Sequence, residues 1–112
     1  MVHHGRTIRI TRFRHVDLPN KDKPALLVKG VVTAPDFADC ANNVPVKVQI
    51  RAGGEWVTRK ADVTNNNGVF KVLFRDVAAR YRARATRFEI ADPAANLIHV
   101  CQKVTHARRH GH

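Results

Sequence analysis

Val44-Pro45-Val46-Lys47-Val48-Gln49-Ile50-Arg51, then Ala52-Gly53-Gly54-Glu55, then Trp56 to Val63, is the stretch that decides the fold. Val44, Val46, Val48 and Ile50 alternate with Pro45, Lys47, Gln49 and Arg51. Successive side chains of an extended strand point to opposite faces, so one face is apolar and the other is for water. The Gly-Gly connection turns the chain tightly, and Trp56 to Val63 reads as the returning strand of a hairpin, with Val57, Ala61 and Val63 of one parity and Trp56, Thr58 and Lys60 of the other.

The same period continues outward. Thr64-Asn65-Asn66-Asn67-Gly68 is the strongest turn signal, because Asn and Gly tolerate positive φ and Asn side chains cap their own turns. Phe70, Val72 and Phe74 then alternate with Val69, Lys71 and Leu73, and in Arg80 to Phe88 Tyr81, Ala83 and Ala85 point one way while Arg80, Arg82 and Arg84 point the other. Asp92-Pro93-Ala94-Ala95-Asn96 breaks the pattern, and Ile98 to Val104 resumes it with Ile98, Val100 and Val104 inward. Cys101 has the opposite parity to Val100, which sends its sulfur off the core face to meet Cys40 at the sheet's edge. Upstream, Ala25 to Thr33 is apolar on both parities and reads as a central strand. Arg6 to Val16 alternates through Ile8 and Ile10 and changes parity at Phe13, which predicts a bulge. Leu18 to Pro24 and Ala34 to Asn43 are loops.

No window of a dozen residues sustains an apolar stripe at helical spacing. The class is all-β, and about seven short strands spaced by turns predict an immunoglobulin-like two-sheet β-sandwich. Its expected division is an N-terminal strand and loop over 1–24, partly flexible, a sandwich core over 25–104, and a flexible basic tail over 105–112. There are no internal repeats.

The 112 residues carry 20 Lys and Arg against 9 Asp and Glu, a formal charge of +11, with 44% hydrophobic residues. This is one globular domain, and the balance excludes a collagen-like repeat and a mostly disordered chain; no apolar run is long enough for a membrane span. A domain of this size buries roughly two-thirds of the surface of its unfolded chain, so a covalent staple matters. Cys40 and Cys101, the two cysteines, fit one disulfide made in an oxidising compartment; the alternative is two buried thiols in a reducing one. Met1 to Gly5 opens into a charged strand without the apolar segment of a secretory signal, so export is expected to be encoded upstream, or the protein is intracellular.

Gly30-Val31-Val32, a cysteine in the following loop, Val44 to Arg51, Gly54-Glu55-Trp56-Val57, Thr64 to Phe70 and Tyr81-Arg82-Ala83-Arg84-Ala85, with a second cysteine near the end, resemble in their order bacterial immunoglobulin-like or carboxypeptidase-regulatory-like (transthyretin-like) β-sandwich modules. The resemblance spans Lys29 to Lys103. It implies a non-catalytic accessory module of a secreted or surface protein, used for adhesion, spacing or binding.

Thirteen arginines against seven lysines make the first candidate site. Arg80, Arg82 and Arg84 share one strand face, with Arg75 and Arg87 nearby, and Arg6, Arg9, Arg12 and Arg14 form a second basic stretch. If the strands neighbour one another, Arg80, Arg82, Arg84, Arg12 and Arg14 make a surface for polyanions such as nucleic acid, teichoic acid or acidic polysaccharide, since guanidinium pairs bidentately with phosphate and carboxylate. The plainer reading is a solvated sheet face whose charge prevents edge pairing. Trp56 and Tyr81 are the only aromatics besides Phe, and Tyr81 is expected in the core with its hydroxyl on nearby backbone. A single-strand stacking platform needs more exposed rings, so sequence-specific nucleic-acid binding is disfavoured.

Terminal histidines (His3, His4, His110, His112) could take a metal but lack carboxylate or cysteine partners, and His15 and His99 read as ordinary surface positions, so no metal site is assigned. No cofactor is implied. Serine is absent, carboxylates are scattered, and a Cys40 nucleophile with His99 or His106 competes with a simpler disulfide, so the chain is read as not an enzyme. The expected role is a non-catalytic module, structural or binding, secreted or at the cell surface, with an acidic polymer or cell-wall glycan as ligand. The rival is a structural subunit of a phage particle or extracellular fibre, located in the virion or inside the cell, that meets other subunits through its basic face and extended termini.

Overall fold

The computed structural model describes residues 1–17, 19 and 24–111. It is all-β, with ten strands: β1 (Val2–His4), β2 (Thr7–Val16), β3 (Ala25–Thr33), β4 (Pro45–Ala52), β5 (Glu55–Val63), β6 (Val69–Arg75), β7 (Ala79–Ala85), β8 (Phe88–Asp92), β9 (Leu97–Cys101) and β10 (Val104–His110). A 3-10 turn, Ala38–Cys40, precedes β4. The strands form three sheets rather than two, in the orders β10-β7-β4-β5, β2-β3-β6 and β1-β9-β8. Arg80 to Phe88, read as one strand, is two, because the chain leaves β7 after Ala85 and starts a different sheet at Phe88. Ile98 to Val104 is divided in the same way between β9 and β10.

The four-stranded sheet and β2-β3-β6 face each other across one core. Val46 and Val48 of β4 and Tyr81, Ala83 and Ala85 of β7 meet Ile8 and Ile10 of β2, Leu26, Val28 and Val32 of β3, and Phe70, Val72 and Phe74 of β6. The alternation of β4, β6 and β7 is therefore the alternation of the core. Ile8 and Ile10 belong to it as well, so the core begins well before residue 25. The parity change at Phe13 is a bulge, with the β2–β3 register shifting between Ile10 and Arg12. A second shift between Val48 and Gln49 carries β5 out of strict alternation.

Both sharp turns follow local chemistry. Gly53 and Gly54 have φ of 59° and 82°, the left-handed conformation of a two-residue hairpin turn. The Asn65 side chain accepts the amides of Asn67 (2.8 Å) and Val69 (3.0 Å), capping the turn it begins. Gly30 answers a packing demand instead: a methyl there would collide with the Phe70 ring and with the Arg9 carbonyl oxygen. Tyr81 is fully buried, and its hydroxyl donates to the Val77 carbonyl at 2.7 Å.

Three expectations are corrected. The basic tail is a strand: β10 pairs antiparallel with β7 from Val104 opposite Ala85 to His110 opposite Ala79, and its period is hidden because His106, Arg108 and His110 stand where apolar residues would mark the inward parity. Ile98 is 40% exposed rather than inward. Cys101 does not leave the core for an edge; β9 is the central strand of its sheet, and the Cys40–Cys101 disulfide, with Cα atoms 5.3 Å apart, is buried at both ends. His112 and most of the loop expected over 18–24 lie outside the described residues.

Arg6 is bonded to the backbone beside both ends of the disulfide. Counted among the surface arginines by sequence, it is 6% exposed, and it donates Nε to the Gln102 carbonyl (2.6 Å), Nη1 to the Cys40 carbonyl (2.9 Å) and Nη2 to the Thr86 carbonyl (2.7 Å). The guanidinium also lies over the Phe88 ring at 5.2 Å. Charged donors to buried carbonyls are among the stronger hydrogen bonds, and removing the donor orphans every acceptor.

Arg6→Met is expected to cost about 3–5 kcal/mol in denaturant unfolding; a loss below about 1 kcal/mol would show that the three carbonyls find other partners. Cys40→Ala is expected to cost about 4 kcal/mol under oxidising conditions, the loop-entropy value for a 61-residue separation. In reductant most of the difference from the parent protein should vanish, and an equal loss in both conditions would assign the effect to packing.

Candidate polyanion-binding face

The outward positions of β10, β7 and β4 form a single cationic surface. Inward Tyr81, Ala83 and Ala85 force Arg80, Arg82 and Arg84 outward, and inward Val46 and Val48 do the same for Lys47 and Gln49. Cross-strand register completes the surface. Arg84 stands opposite Lys47 on one side and Thr105 on the other, Arg82 opposite Gln49 and Ala107, Arg80 opposite Arg109, and Arg51 opposite Trp56. Directly opposed side chains sit roughly 5 Å apart at Cβ, so the Arg84/Lys47 and Arg80/Arg109 pairs are like charges that weaken the sheet. Among the described residues the one Lys or Arg to carboxylate ion pair is Arg87 with Glu89, off this face. The charge of the face is therefore not neutralised from within.

At its centre the geometry is fixed. Arg82 Nε donates to Gln49 Oε1 (2.7 Å), and Gln49 Nε2 donates to Thr58 Oγ1 (3.1 Å), with Gln49 itself buried beneath them. The Arg82 guanidinium lies 4.7 Å and that of Arg51 5.5 Å from the Trp56 ring centroid. Desolvation first, then the charges of Arg84 and Arg51, lowers the Arg82 pKa from its ordinary value. Arg84 Nε is buried without a hydrogen-bond partner among the described residues. Such a surface can hold several anionic groups side by side, with Arg82 oriented in advance.

Arg12 and Arg14 are not part of it. They sit after the bulge on β2, opposite Lys29 and Leu27, on the outer face of the other sheet. Arg75 ends β6 in that same sheet. Lys47 and Arg51 were legible as outward residues of the first hairpin, but Arg109 was hidden because its strand lacks an apolar period.

His15 lies at the surface as expected, whereas His99 is largely covered and the terminal His4 is buried. His4 is buried and its Nε2 is bonded to Nδ1 of His99 at 2.8 Å, with the Phe37 ring stacked on both at 4.6 and 4.3 Å and Asp92 3.8 Å from His99. His15 and His110 bond the two oxygens of Asp76, at 2.5 and 3.1 Å, closing the end of the sandwich where β2, β10 and the β6–β7 loop meet. Among the described residues no group of three or more His, Cys, Asp or Glu converges to hold a metal. Cys40, bridged, offers no thiolate. No helix among the described residues is long and apolar enough to cross a membrane.

His106 Nδ1 accepts the Ile10 amide at 2.9 Å, tying β10 to β2. Its pKa is lowered, first by desolvation and then by Arg9 and Arg108. A histidine with a depressed native pKa binds fewer protons folded than unfolded, so its stabilisation is whole above the unfolded value near 6.5 and declines as pH falls through it. His106→Asn, which keeps an acceptor for the amide, is expected to flatten the fall in stability between about pH 7 and pH 5; parallel curves for the two proteins would remove His106 from that dependence. No family model matches the chain and neither curated proteins nor solved structures give a match, so its function is read from its own residues.

Proposed function

We propose that this chain is a non-catalytic β-sandwich module that binds an acidic polymer, a polysaccharide or cell-wall glycan, through the outer face of β10-β7-β4-β5. One observation carries the reading: Lys47, Arg51, Arg80, Arg82, Arg84 and Arg109 share that face with like charges in register and no carboxylate paired to them among the described residues. Sheets ordinarily avoid directly opposed like charges, and a cost in stability kept at one place is the mark of a surface shaped by what it meets. Arg82, anchored by Gln49, and Trp56 beside it offer a bidentate donor next to a ring. The buried disulfide supports a secreted or cell-surface setting.

The rival reading, a subunit of a particle or fibre, draws support from exposed apolar side chains of the smallest sheet and the residue before it, Met1, Val2, Leu97 and Ile98. It draws none from extended termini, because β1 and β10 are paired strands.

Replacing Arg80, Arg82 and Arg84 together by Gln should shorten retention on heparin and lower the slope of log retention against log salt by up to about three, one for each cation removed from the face. Replacing Arg12, Lys29 and Arg75 together by Gln removes the same net charge from the opposite face and should change retention little. Equal effects from the two triples would reduce the interaction to net charge and reject the face.

A further inference from the structure

A second, independent surface lies on the other side of the sandwich. Inward Val28, Phe70 and Phe74 turn Leu27, Lys71 and Leu73 to the outer face of β2-β3-β6, where Arg14 and Val16 join them from β2 and Lys60 and Ala61 from the neighbouring β5. Together with Val72 these residues line a groove of about 560 Å³. Its apolar floor is Val16, Leu27 and Leu73, with Leu73 opposite Leu27 in register and 41% exposed. Its charged wall is wholly cationic: Arg14, Lys60 and Lys71, none in an ion pair among the described residues. Asp62, two residues from Lys60 on the same strand, is turned to the Lys71 amide, whose N–H it accepts at 2.9 Å.

The two halves of this lining ask for different parts of one ligand. Leucine and valine exposed in a concavity lose most by facing water, and a polymer of sugars or phosphates would leave them there. Three cations without a paired carboxylate among the described residues call for an anion, which a neutral oil does not provide. We propose that this groove binds a free fatty acid of medium chain length, with the carboxylate held by Arg14, Lys60 and Lys71 and the acyl chain laid across Leu27 and Leu73. The site is separate from the polyanion face, on the outer face of β2-β3-β6 beside the β5 edge, and stands without it.

The probe is laurate below its micelle concentration, titrated calorimetrically into the whole disulfide-bonded chain, with dodecyl maltoside and dodecyltrimethylammonium as tails of equal length bearing neutral and cationic heads. Laurate is expected to bind at one site at least tenfold more tightly than either. From hexanoate to laurate each added methylene should tighten binding about two- to fourfold, the range for a chain half to fully removed from water. Leu73→Asp, at an exposed position, and Lys71→Glu should each weaken laurate at least tenfold while leaving heparin retention near that of the parent for Leu73→Asp. The Arg80, Arg82 and Arg84 triple should leave laurate binding unchanged. Equal binding of the three head groups, indifference to Leu73→Asp, loss of laurate in the arginine triple, or flotation with phosphatidylglycerol vesicles without binding of monomeric laurate would each overturn the proposal, the last in favour of a lipid surface.

Discussion

One buried guanidinium holds this small protein together. Arg6 sits between the N-terminal strands and donates to carbonyls from three distant places, the turn carrying Cys40, the Thr86 link between β7 and β8, and the Gln102 link between β9 and β10. Thr86 and Gln102 lie where the chain passes between the sandwich and the small sheet β1-β9-β8, Cys40 in the turn between β3 and β4, and Thr86 and Gln102 stand outside the strands, where buried carbonyls need another donor. Neutral carbonyls satisfy the geometry of the guanidinium while burial draws its pKa down. The disulfide closes the same junction covalently. Without this joint the third sheet would be a three-stranded flap with exposed Leu97 and Ile98 and little core of its own.

With the junction fixed, the rest follows from two sheets sharing one apolar layer. Filling that layer with Val, Phe, Leu and Tyr turns every alternate position of β4 and β7 to the outer face, where all but Gln49 meet solvent. The chain put cations at those positions and set them in register across three strands, so the Gln49, Thr58 and Trp56 cluster serves as much to space the charges as to hold the sheet. On the opposite face the outward positions mix leucine and lysine, and the surface is chemically different. The thinness of the molecule, 18 Å along its shortest axis, places these two faces back to back.

The histidines show how much of the protein's polar chemistry is structural. His4 with His99, His106 on the Ile10 amide, and His15 and His110 on Asp76 each tie strands distant in sequence. A ring nitrogen can act as donor or acceptor according to its tautomer, which suits a junction where backbone and side-chain partners come from different sheets.

The all-β class, the β4–β5 hairpin, the Asn-rich turn, the bulge in β2, the inward residues of β4, β6 and β7, and the outward row Arg80, Arg82 and Arg84 are all legible in the order of the residues. These are local: side-chain alternation and turn chemistry are written within a few residues of where they act. Long-range packing set the rest: Arg6 is buried, Cys101 lies in a central strand, residues 104–110 pair with β7, and Arg12 and Arg14 face away from Arg82. Those outcomes depend on acceptors and neighbours far along the chain, such as the Cys40 and Gln102 carbonyls for Arg6. Period two says which residues share a face, and it is silent on which strand comes to lie beside them.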